Sequence, residues 1–281
     1  MPSPAIPHGL TLPPNGGRIR RLLPLAALAV LAACGRAPAA LTNASNDAAP
    51  GAQGEYLPAP EVTGAAVAAG RQLALTGTAA PGAAVRLASP GGGAQFATAD
   101  TDGGWTILVP PSATPRLFSL SMSQGGPVLQ AMGYIFVAPD GRVARLRAGG
   151  GTEALAPGRQ GLTALALDYD IQRDPVLSGL AAPGEALSLR VDGVERGQAV
   201  ADKTGRFTLS LNKPLDPGAH AFDLTSASGE TQLQVGIDAP ATLASGPFSS
   251  TRQGHAWRID WLSPGGGEQT TLVFDTPGPS A

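Results

Sequence analysis

Leu75-Thr76-Gly77-Thr78-Ala79-Ala80-Pro81-Gly82-Ala83-Ala84-Val85-Arg86-Leu87 returns, 102 residues later, as Leu177-Ser178-Gly179-Leu180-Ala181-Ala182-Pro183-Gly184-Glu185-Ala186-Leu187-Ser188-Leu189. The same offset, without a gap, sets Ala99-Asp100 on Ala201-Asp202, Gly103 on Gly205, and Trp105-Thr106-Ile107 on Phe207-Thr208-Leu209. Alanine and glycine bias alone does not align a proline, an aspartate and an aromatic slot, so the chain carries an internal duplication.

Each copy reads as antiparallel strands. Leu187, Leu189 and Val191 alternate with Ser188 and Arg190, and Phe207, Leu209 and Leu211 alternate with Thr208 and Ser210, which gives each strand one apolar face. Ala-Pro-Gly supplies a tight turn, and Asp100-Thr101-Asp102-Gly103 and Asp202-Lys203-Thr204-Gly205 read as hairpin turns. Leu165, Leu167, Tyr169 and Ile171 suggest a further strand, with Asp168 and Asp170 on its solvated face. Gly133–Arg147 reads as a hairpin about Pro139-Asp140-Gly141. Short strands with a turn every 8–12 residues indicate a β-sandwich. With 38 glycines and 27 prolines in 281 residues, an all-β chain rich in turns accounts for the composition better than a helical one.

The pattern of a strand ending in glycine, Ala-Pro-Gly, an alternating strand and Ala-Asp-x-x-Gly-x-(Trp/Phe)-Thr resembles the bacterial Ig-like and carboxypeptidase-regulatory-like sandwich modules of envelope and surface proteins. The resemblance covers about residues 62–238 and implies fold more than function, since such modules serve as spacers, adhesins and enzyme appendages. The first copy departs from the pattern after its second hairpin, where Pro110-Pro111-Ser112-Ala113-Thr114-Pro115 stands in place of Pro214-Leu215-Asp216-Pro217-Gly218-Ala219-His220.

Upstream, Arg18, Arg20 and Arg21 precede an apolar run from Leu22 to Leu31, which is too short to span a bilayer. A basic region, a short apolar run and small residues before the cut describe a secretory signal. Leu31-Ala32-Ala33-Cys34 resembles the lipobox of bacterial lipoproteins, and Cys34 is the only cysteine of the chain. That resemblance implies lipidation of Cys34 and attachment to a membrane surface, with Gly35 after the cysteine leaning towards the outer membrane. Residues from Gly35 to about Gly64 are mostly Ala, Pro, Asn, Ser and Gly and read as a tether.

The expected fold is therefore all-β: two tandem Ig-like β-sandwich modules plus a C-terminal β-hairpin, after a disordered signal and tether. The expected boundaries are 1–33 for the signal, 34–61 for the tether, 62–150 and 160–240 for the modules, and 241–281 for the hairpin. In that hairpin Trp257, Ile259 and Trp261 alternate with Arg258 and Asp260, so the first three are expected to close a hydrophobic core, within the chain or on a partner. The competing reading makes Trp257 and Trp261 an exposed sugar platform.

Little in the chain suggests catalysis, and no catalytic residue is assigned. Beyond the signal the histidines are His220 and His255, both read as surface or edge residues, and no Gly-x-Ser-x-Gly elbow is present. Asp100-Thr101-Asp102-Gly103 lacks the ligand spacing of a calcium loop, and two histidines without a cysteine or acidic cluster do not make a zinc site. The glycine triplets at 91–93 and 265–267 lack the Lys-Ser/Thr of a phosphate cradle. No metal, cofactor or nucleic acid is expected. Removing residues 1–33 takes three of the 19 basic residues and none of the 21 acidic ones, leaving a net charge of −5, opposite to the footprint of a nucleic-acid binder. The function expected is structural or binding, as a lipid-anchored envelope protein engaging a protein or polysaccharide. A polysaccharide-binding accessory role and an unrecognised hydrolase are the alternatives.

Overall fold

Alternating apolar residues and closely spaced turns produce twenty strands among the residues described by the computed structural model, which are 57–155 and 161–275. The signal segment, Cys34 and most of the tether lie outside the described residues.

The first module contains β1 (Glu61–Val67), β2 (Leu73–Thr78), β3 (Ala84–Ala88), β4 (Ala94–Thr98), β5 (Gly104–Val109) and β6 (Arg116–Ser123). It continues with the short β7 (Leu129–Gln130), β8 (Tyr134–Val137), β9 (Val143–Leu146) and β10 (Glu153–Leu155). One sheet has the order β1-β2-β5, the other β10-β9-β8-β6-β3-β4 with β7 against β6. The second module contains β11 (Thr163–Asp170), β12 (Val176–Leu180), β13 (Ala186–Val191), β14 (Val194–Val200), β15 (Arg206–Ser210), β16 (Gly218–Ser226) and β17 (Gly229–Ile237). It ends with β18 (Phe248–Gln253), β19 (Ala256–Leu262) and β20 (Glu268–Phe274). Its sheets run β15-β12-β11-β20-β19-β18 and β14-β13-β16-β17.

The duplication is visible strand by strand. In each module the first, second and fifth strands form one sheet, and the fourth, third and sixth form the other, the connectivity of an Ig-like sandwich. Registers coincide as well: Gly77 pairs with Trp105, and Gly179 with Phe207. The aspartate turns are equally matched. Asp100 Oδ1 accepts the backbone N–H groups of Asp102 and Gly104, as Asp202 Oδ1 accepts those of Thr204 and Arg206. The carboxylates thus hold turns by bonding their own backbone.

Trp105 and Phe207 are both buried, each lying over the glycine it pairs with. That explains why the penultimate residue of the second strand in each copy is glycine, because a Cβ there would run into the aromatic ring and a strand carbonyl.

Three hydrophobic cores result. The first lies between the sheets of module one and includes Leu75, Val85, Leu87, Trp105, Ile107, Phe118 and Leu120. The second lies between the sheets of module two and includes Leu177, Leu189, Phe207, Leu209, Phe222, Leu224 and Leu272. The third joins Leu117, Phe136, Ala144, Leu146 and Ala154 of module one to Leu165, Ile259, Trp261 and Val273 of module two. It packs the outer face of one sandwich on the outer face of the other. All three cores are drawn from residues 62–274, within the compact unit 54–281, which therefore has the complete interior of an independently folding body.

The strand layout departs from the sequence expectations at several points, and module one runs past the expected boundary at residue 150 to include β10. The hairpin expected at 241–281 is, over its described residues up to 275, no separate unit: β18, β19 and β20 form a meander, and β20 pairs with β11 to extend the sheet of module two. The alternation in β11 is broken by a β-bulge between Ala164 and Ala166, which places Leu165 in the third core while Leu167 and Tyr169 stay in the second. Ile171 lies past the strand end and is exposed.

Candidate functional site

The residues singled out for chemistry are dispersed. His220, expected at the surface, is tied down on both ring nitrogens, Nδ1 to Asp192 at 2.6 Å and Nε2 to the Asp216 carbonyl oxygen at 2.8 Å. Burial opposes the charge on this imidazole, but its bonds to Asp192 and Asp216 outweigh that and raise its pKa. Asp192 is held below its ordinary value, first by His220 and then by the Ala221 N–H it accepts. This pair pins the β13–β14 turn to β16 and leaves no free base. His255 is exposed, 3.8 Å from Asp275. Among the described residues no three His, Cys, Asp or Glu side chains are grouped to hold a metal ion, and no helix is long and apolar enough to cross a membrane.

The densest unusual chemistry lies where the sandwiches meet. Asp168 is the clearest correction to the sequence reading, because it is buried rather than solvated. Its Oδ1 accepts the hydroxyls of Thr152 and Thr271, each at 2.6 Å, and its Oδ2 accepts the Thr152 backbone N–H. Thr152 belongs to the segment entering β10 of module one, while Asp168 and Thr271 belong to β11 and β20 of module two. Ser178 completes the cluster by donating to the Thr152 carbonyl, and the Trp261 indole N–H donates to Thr271 Oγ1 at 3.0 Å. Burial pushes the Asp168 carboxyl up to about 6, against the opposing pull of the Thr152 and Thr271 bonds.

The opposite end of the seam is ionic. Asp275 binds Arg142, from the β8–β9 turn of module one, and both Nη atoms of Arg252 at 2.8 Å. Bonds from Arg252 chiefly, then from Arg142, hold the Asp275 carboxyl down at about 2. Trp257 lies between these groups. Its N–H donates to Asp140 at 3.1 Å, its ring meets Phe136 at 6.4 Å, and Arg252 lies over it at 5.4 Å.

The tryptophans therefore do belong to a hydrophobic core, one shared by two modules, and they form no sugar platform. Trp261 is fully buried and packs edge-on against Tyr134 at 5.9 Å. Arg258 and Asp260, expected in water, are buried on the other face of β19. They pair at 2.9 Å, and Asp260 also accepts from Thr270 at 2.7 Å while Arg258 donates to the Ala239 carbonyl at 2.8 Å. Strand alternation separates the two faces correctly, but both faces of β19 are covered.

Two hollows accompany the seam and the second module. A cavity of about 290 Å³ at the joint is lined by Arg147, Thr152, Glu153, Ser178 and Arg206 among others. Of its charges, Glu153 and Arg206 pair with each other, and Glu153 also binds Arg145. A cleft of about 650 Å³ beside β17 is lined by Leu233, Val235, Ala256, Leu272 and Phe274 under a rim of glutamines. In the first, the Thr152 and Ser178 hydroxyls and the Glu153–Arg206 pair are all engaged in bonds that run from one sandwich to the other.

No protein-family model matches the sequence, and no curated protein does. Among solved structures the chain is similar to the BSP domain of a biofilm-associated protein, at 13% identity and a TM-score of 0.22, over 66% of this chain and 30% of that one. It is also similar to the central fibronectin-III array of a RIM-binding protein, at 13% identity and a TM-score of 0.24, over 78% of this chain and 90% of that one. The chain thus spans under a third of the first of these structures and most of the second.

Proposed function

We propose that this protein is a non-enzymatic, lipid-anchored component of a bacterial cell envelope, probed by its surroundings as one stiff two-sandwich body that spaces or binds an envelope protein or polysaccharide. The observation that carries this reading is the third core. Two modules joined only by a linker would swing independently, whereas a buried apolar seam with polar bonding at one end and ion pairs at the other favours a fixed presentation. The anchoring half of the reading rests on Leu31-Ala32-Ala33-Cys34 and the absence of any other cysteine. Attachment through diacylated and N-acylated Cys34 would place the tether between the lipid and β1, at the outer membrane, and two or more acyl chains suffice for stable anchoring.

The test is the mass of the amino-terminal peptide of the full-length chain produced in a Gram-negative host. Acylated Cys34 at the new amino terminus is expected, with the protein in the membrane fraction. Cys34→Ala is expected to release the protein or leave the signal attached. Wild-type protein cut elsewhere, without acyl mass and free in the periplasm, would overturn the anchoring.

A further inference from the structure

We infer that the joint between the sandwiches is proton-sensitive, with Asp168 as the sensing group and mild acid tightening the contact. Asp168 sits where Thr152 of module one reaches into module two, and separating the modules removes two of its three hydrogen-bond donors and opens it to water. Docking therefore carries this carboxyl between a dry site and a wet one. In the docked state it has no cationic partner. Desolvation and the bonds from Thr152 and Thr271 set its protonation, and no charged side chain enters.

None of the charged groups on the surrounding elements bonds Asp168. Glu153, on β10, binds Arg145 and Arg206. Arg147 lines the neighbouring cavity, and Asp170, at the end of β11, accepts the Gln172 backbone N–H. Ser178 on β12 and Thr271 on β20 are uncharged. Arg258 and Asp260 of β19 pair with each other on its far face. At the distant end of the seam Asp140, Arg142, Arg252, His255 and Asp275 form the ionic cluster.

The sign follows from linkage. A carboxyl raised to about 6 when docked, against an ordinary 3.8 when exposed, favours docking below 3.8 and loses that contribution as pH rises through 6. Asp275 works in the opposite sense, its contribution being present above 3.8 and lost as pH falls towards 2. The two windows do not overlap. Between pH 7 and pH 5 Asp168, unlike Asp275, changes its protonation, and its contribution is expected to raise the docking equilibrium about tenfold.

Hydrogen exchange by NMR on residues 54–281 reads this directly, through the protection of the Thr152 and Ala154 amides after correction for the intrinsic exchange rate. Wild-type protection should be about tenfold higher at pH 5 than at pH 7. Asp168→Asn, which keeps the shape and removes the titration, should lower protection at both values and make it independent of pH over that range. A flat wild-type profile, or the same slope in wild type and Asp168→Asn, would overturn the inference. If Asp168→Asn fails to fold, Thr271→Val serves instead: it removes one bond that opposes the upward shift, so the wild-type step should move to higher pH, and an unmoved step would count against Asp168.

Discussion

Trp261→Ala is expected to lower the free energy of unfolding by about 3–5 kcal/mol, the cost typical of truncating a large buried aromatic. The side chain is fully enclosed in the third core, packs edge-on against Tyr134 from the other sandwich and satisfies its own N–H on Thr271. Its loss leaves a cavity in the one apolar contact shared by the two modules. The effect should accordingly be visible in the shape of the urea curve as well as its midpoint. Wild-type residues 54–281 should unfold in a single transition, and the variant in two, because each sandwich retains its own core after the joint is weakened. Trp257→Ala should have a smaller effect, since that ring is only partly buried. Equal losses for the two variants would place the third core somewhere other than around Trp261.

Gly179→Ala is expected to cost about 3 kcal/mol or more, towards the upper end for overpacking in a core. A Cβ at this position would stand 2.1 Å from the Thr163 carbonyl oxygen and 2.7 Å from the Phe207 ring. Neither neighbour yields easily, as the carbonyl belongs to the paired strand β11 and the ring fills the second core. Gly77→Ala should behave alike, with Glu61 and Trp105 in the corresponding places. Adding Phe207→Leu to Gly179→Ala should relieve only the ring contact, so some of the loss should remain; full recovery would show that the carbonyl contact is unimportant. Midpoints from urea unfolding followed by circular dichroism provide the measurement.

The duplication is the part of the fold most legible in the sequence, because Pro-Gly, Asp-x-x-Gly and the glycine beneath each aromatic are local signals that each determine a turn or a close approach. Those signals recur at a constant offset and predict matching registers. What sequence reading missed depends on contacts between elements. Asp168 alternates with Leu165 and Leu167 and so reads as solvated, yet Ala164 and Ala166 carry the contrary signal. A strand whose supposedly solvated positions hold alanine rather than charged residues is one covered on both faces. The same signal is present in Thr270-Thr271-Leu272-Val273-Phe274, where consecutive apolar residues mark β20 as central rather than terminal.

Recruitment of the last three strands into module two was hidden for a different reason. A hairpin announces its turn, but nothing local announces that its outer strand will pair with β11, about a hundred residues earlier. The bulge in β11 is likewise unmarked by glycine or proline, and it alone decides that Leu165 faces the neighbouring module. The joint therefore arises from two features legible in the sequence, the extra hairpin of module one and the apolar face of β19, and one that is not, the bulge in β11.

Pulsed electron–electron resonance between spin labels on Ala113→Cys and Lys213→Cys, in residues 54–281 where no other cysteine competes, measures directly whether the sandwiches form one body. Both positions are exposed and stand one in each module. A single narrow distance distribution at pH 5 and pH 7, broadened by Trp261→Ala, is the predicted result; a broad distribution in the wild-type protein would contradict it.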